Sequence, residues 1–79
     1  MRAGEWRVFL QDNTNPAIKK DLHLTISMRG IRRKGDQIRL SECKIISGGL
    51  PTLVDEVRIV DFHDHSWTHD HQLIVAVVD

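Results

Sequence analysis

Cysteine is almost missing from this chain: Cys43 stands alone among 79 residues. No intramolecular disulfide can form, which fits a compartment where thiols stay reduced. Tyrosine is absent, and two tryptophans and two phenylalanines are the whole aromatic set. That is a thin supply of stacking platforms for single-stranded nucleic acid. Net charge is zero, which excludes a uniformly basic or acidic surface field. No apolar run approaches the roughly 20 residues of a membrane span. The first ten residues carry Arg2, Glu5 and Arg7 and no apolar stretch of signal-peptide type. The expectation is a cytoplasmic protein.

What remains is one small domain over residues 1–79, 41% hydrophobic. A chain of this size buries only about 60–65% of its unfolded surface, so association with a second copy is a natural way to bury more. Charge is unevenly spread, with net +5 over residues 1–53 and net −5 over 54–79. Either the two halves attract other copies, or strands from each half interleave and mix the charges in space.

Period-two alternation runs through the sequence and predicts strands. In 5–11, Trp6, Val8 and Leu10 share a face. In 21–29, Leu22, Leu24, Ile26 and Met28 face one way, with His23, Thr25, Ser27 and Arg29 opposite. Asp12-Asn13-Thr14-Asn15-Pro16 between them is turn chemistry, and Pro16–Lys20 has room for one helical turn capped by Asn15. Gly30 breaks the second run and suggests a bulge. Lys34-Gly35-Asp36 reads as a turn with Gly35 at positive φ.

A third strand is expected over 37–46, with a phase change near Glu42. Ser47-Gly48-Gly49-Leu50-Pro51 forms a loop, and no Lys-Ser/Thr follows to make it a phosphate cradle. A fourth strand, 54–62, sets Val57 and Ile59 on one face, Val60 and Phe62 on the other. The fifth, 72–78, is apolar without alternation, as suits a central strand covered on both faces. The fold class expected is all-β: a five-stranded antiparallel barrel or sandwich with at most one short helical turn.

Four of five histidines fall within His63-Asp64-His65-Ser66-Trp67-Thr68-His69-Asp70-His71, nearly a palindrome about Trp67. A hairpin with Ser66-Trp67-Thr68 as its loop would oppose His65 to His69, Asp64 to Asp70 and His63 to His71. All four imidazoles would then project from one face, since side chains alternate along a strand. Such a set suits a divalent transition metal such as Zn, Ni or Cu, with His63, His65, His69 and His71 as ligands. The same register places Ile59 near Val75 and Val57 near Val77. The competing reading is a polar loop whose histidines are solvated or hydrogen-bonded. A third is a pH-sensitive interface.

Arg29, Arg32, Arg33, Lys34 and Arg39 crowd the second hairpin and could contact phosphates. A charged edge that blocks strand-to-strand aggregation explains the same residues. Trp6 and Cys43 read as core, and His23 as exposed. No catalytic constellation emerges. The sequence therefore favours a non-enzymatic binding or assembly module, homo-oligomeric, over a metal-binding protein, with a metal-dependent hydrolase or oxygenase as its enzymatic form, and, third, a nucleic-acid binder.

Overall fold

The computed structural model describes residues 4–27, 33–65 and 70–78. Among the described residues six strands form one sheet: β1 (Glu5–Gln11), β2 (Lys19–Ser27), β3 (Gln37–Arg39), β4 (Lys44–Ser47), β5 (Glu56–His65) and β6 (Asp70–Val77). A single 3-10 turn, Leu40–Glu42, separates β3 from β4. The order across the sheet is β3-β5-β6-β1-β2-β4. The all-β reading holds, while the strand count and the purely antiparallel pairing do not.

The extra strand comes from the stretch 37–46. The phase change near Glu42 is a strand end, because the backbone winds through the 3-10 turn there and delivers its two halves to opposite edges. That connection curls the sheet. A flat six-stranded sheet would hold its edges about 24 Å apart. The link from Arg39 to Lys44 reaches at most about 18 Å even when extended. The sheet accordingly bends into a half-barrel, and fully buried Leu40 in the turn joins its core.

The parallel pairing joins the first and last strands, Arg7 opposite Gln72 through Leu10 opposite Val75. It seats β6 between β5 and β1, where Leu73, Ile74, Val75 and Ala76 are all buried. A strand covered on both faces is what the unbroken apolar run specifies. Val8, Leu24, Ile26, Val57 and Ile59 complete the inner face, with Trp6, Leu22, Cys43 and Phe62 packed against it.

Local chemistry fixes the turns. Asp12 Oδ1 accepts the Thr14 amide and hydroxyl at 2.7 Å each, and Asp12 N–H donates to the Ile18 carbonyl at 3.0 Å. Asn15 Oδ1 accepts the Ala17 amide, but no helix forms, because Lys19 already belongs to β2. Gly35 takes φ 93° in the turn before β3, a conformation that costs glycine little. The expected bulge at Gly30 and the inward Met28 lie outside the described residues. No helix among the described residues is long and apolar enough to cross a membrane.

Candidate functional site

The geometry of the histidine segment is decided by Val60. Below it, Val57 stands opposite Val77 and Ile59 opposite Val75, the register the near-palindrome implies. Val60 then has no partner on β6. Above it the pairs are Asp61–Ile74, Phe62–Leu73, His63–Gln72, Asp64–His71 and His65–Asp70. One bulged residue has moved β5 by one place against β6, and a one-residue slip exchanges the faces of everything beyond it.

Two consequences follow. Phe62 returns to the core side with Val57 and Ile59, where simple alternation sets it opposite. His63 and His71 fall on opposite faces of the sheet, so the expected one-face set of four imidazoles does not form. The expected oppositions of His63 to His71, Asp64 to Asp70 and His65 to His69 are replaced by the register above. Trp67 and His69 lie outside the described residues, and His65 enters only as a strand position. No cluster of three or more His, Cys, Asp or Glu suited to a metal ion occurs among the described residues.

Each face has its own chemistry. Inward, the His71 side chain is only 14% exposed, with Nδ1 2.8 Å from Asp64 Oδ1. The pair meets the distance of an ion pair but not the directionality of a hydrogen bond. The imidazole lies 5.0 Å from the Trp6 ring, and Trp6 meets Phe62 edge-on at 5.3 Å. This aromatic wedge ties β1, β5 and β6 together at one end of the half-barrel. Outward, Asp61 receives Lys34 Nζ at 3.0 Å and lies 3.2 Å from His63 Nε2. The Lys34 bond, then the Phe62 amide, holds the Asp61 carboxyl below the usual aspartate range.

Of the basic stretch, Arg33, Lys34 and Arg39 are described. Lys34 is paired with Asp61, and Arg39 stands opposite Glu56 with its charge also acting on Asp55. The Arg33 amide donates to Asp36 Oδ2. Arg29 and Arg32 lie outside the described residues. The basic first half and acidic second half thus interleave where β3 meets β5. Arg39 and Lys44 each sit on an edge strand, the position where a charge blocks strand addition.

Two features escaped the sequence reading. Among the described residues the exposed large apolar side chains are Ile18, Val77, Ile46 in β4 at 41%, and Leu50 at 46% and Leu53 at 95% in the segment between β4 and β5. Ile46 is exposed because it is the extra residue where Thr25 opposes Ser47 but Ile26 opposes Ile45. The available signal was Leu50 and Leu53 in a segment with no alternation to give them a buried face. The other feature is His23, a non-glycine residue at φ 53° within β2.

Comparison with known proteins adds no relative: no family model, no curated protein and no solved structure matches the chain.

Proposed function

We propose that this chain is a non-enzymatic assembly module whose partner is a second copy of itself, joined through the apolar segment between β4 and β5. The observation that carries the reading is Leu53, 95% exposed, together with Leu50 in the same segment and Ile46 near the end of β4. Exposed large apolar side chains close in sequence on a small domain favour association, because a second copy that covers them removes them from water at about 25 cal/mol per Å².

Two further facts support self-association. Net charge is zero, so copies approach without mutual repulsion. The edge strands are short and carry Arg39 and Lys44, which disfavours open-ended strand addition and directs contact to the loop. Light scattering over a concentration series tests the proposal. Dimers or a small closed oligomer at about 50 µM, dissociating on dilution, is the expected result, by mass action. A strict monomer throughout would reject it.

A further inference from the structure

The loop that bears Leu50 and Leu53 leaves β4 over the one strained residue of β2. Opposite Val8, β2 spends three residues, Leu22-His23-Leu24, because Arg7 pairs with Thr25 and Phe9 with Asp21. His23 reaches φ 53° to make this bulge. The left-handed region costs an L-residue roughly 1–2 kcal/mol, so something must hold it there. Asp21 does: its Oδ1 accepts the His23 amide at 2.8 Å, and its Oδ2 accepts Arg7 Nη2 at 3.1 Å. The bulge in turn carries Gly48, whose backbone lies so close that a Cβ there would overlap the His23 carbonyl oxygen. Gly48 itself has φ 84°.

We infer that the Asp21-capped bulge at His23 is a positioning device: it forms the seat on which Gly48 rests and fixes the direction in which Leu50 and Leu53 depart. The assembly reading supplies its purpose, but the device is tested independently. Two left-handed residues in contact, His23 within β2 and Gly48 directly after β4, leave the loop a single take-off direction. Ile46, the extra residue of β4, lies two positions before Gly48, so β2 and β4 both depart from regular pairing at the same place.

Hydrogen exchange on the full chain, read by mass spectrometry over residues 46–53, is the test. Asp21→Ala removes the acceptor for His23 N–H and should speed exchange in 46–53 by roughly tenfold, with β5 and β6 unchanged. Asp21→Asn keeps an acceptor but loses the charge facing Arg7, and should stay near the original protein. Gly48→Ala, which unseats the loop from its own side, should show the same local acceleration and gives the reading where Asp21→Ala folds poorly. Unchanged exchange over 46–53 in both Asp21→Ala and Gly48→Ala overturns the inference. So does Asp21→Asn behaving like Asp21→Ala, because the Arg7 ion pair would then be the operative contact. If the protein is monomeric, the assembly reading fails while this exchange pattern still decides the device.

Discussion

Asp64 stands opposite His71, and not opposite Asp70, because Val60 has no partner across the β5–β6 pair. That displacement separates His63 from His71 and turns a ligand-like spacing into two separate environments, His71 beside Trp6 and Asp64 and His63 beside Asp61. In this register the two histidines face opposite sides of the sheet and cannot share an ion. Replacing His63 and His71 singly by Ala should therefore not remove one and the same metal-induced rise in melting midpoint. A rise with Zn²⁺ or Ni²⁺ that each substitution abolishes would contradict the register.

Removing Val60 would take out the unpaired residue and make Ile59–Val75 and Asp61–Ile74 consecutive pairs, so Phe62 should keep the core side and its edge-on contact with Trp6. Such a deletion should cost less than Phe62→Ala, which empties the ring's place at about 3 kcal/mol. Urea denaturation of the two variants gives the ranking, and a deletion as costly as Phe62→Ala would argue against the bulge.

Leu24, on the strand that bears the His23 bulge, is 1% exposed in the inner core. Leu24→Ala should cost about 2–5 kcal/mol. Leu53→Ala should cost almost nothing to a monomer, because that side chain is in water already. Thermal melts at low protein concentration separate them. A comparable loss at both positions would mean the loop is packed in solution.

Acid sensitivity follows from four carboxylates held below the ordinary aspartate range. The causes are the Thr14 hydroxyl at Asp12, the His23 amide at Asp21, the Ser41 amide at Asp55 and the Lys34 ammonium at Asp61. A carboxyl whose folded pKa is depressed contributes stability above its unfolded value, about 3.9, and loses it as pH falls through the folded value. These groups should leave stability level from neutral pH down to about 5 and erode it below about 4. Asp55→Asn keeps an acceptor for Ser41 but cannot titrate, so its acid limb should be shallower. An identical acid limb would exclude Asp55 as a contributor.

Much of the architecture was legible in the residues. Alternation in Trp6-Val8-Leu10 and Leu22-Leu24-Ile26 named the core side of β1 and β2, and Leu73–Ala76 announced a doubly covered strand. Alternation gives faces, not partners, so the parallel union of β1 with β6 was out of its reach. The 37–46 stretch read as one strand because Ile38, Leu40, Cys43 and Ile45 are apolar throughout, and only the 3-10 turn accounts for the phase change. The one-face histidine register failed on one residue: nothing in the side chain of Val60 distinguishes a bulged valine from a paired one. The exposed loop is the converse case, since Leu50 and Leu53 gave no periodic signal to read.

The measurement that tests the assembly reading most directly is sedimentation velocity of the original chain beside a Leu50→Asp/Leu53→Asp variant, at matched concentrations near about 50 µM. The account predicts a self-associated species for the original and a folded monomer for the variant, with unchanged strand content. A monomer in both, or an oligomer that survives the two charges, would contradict it.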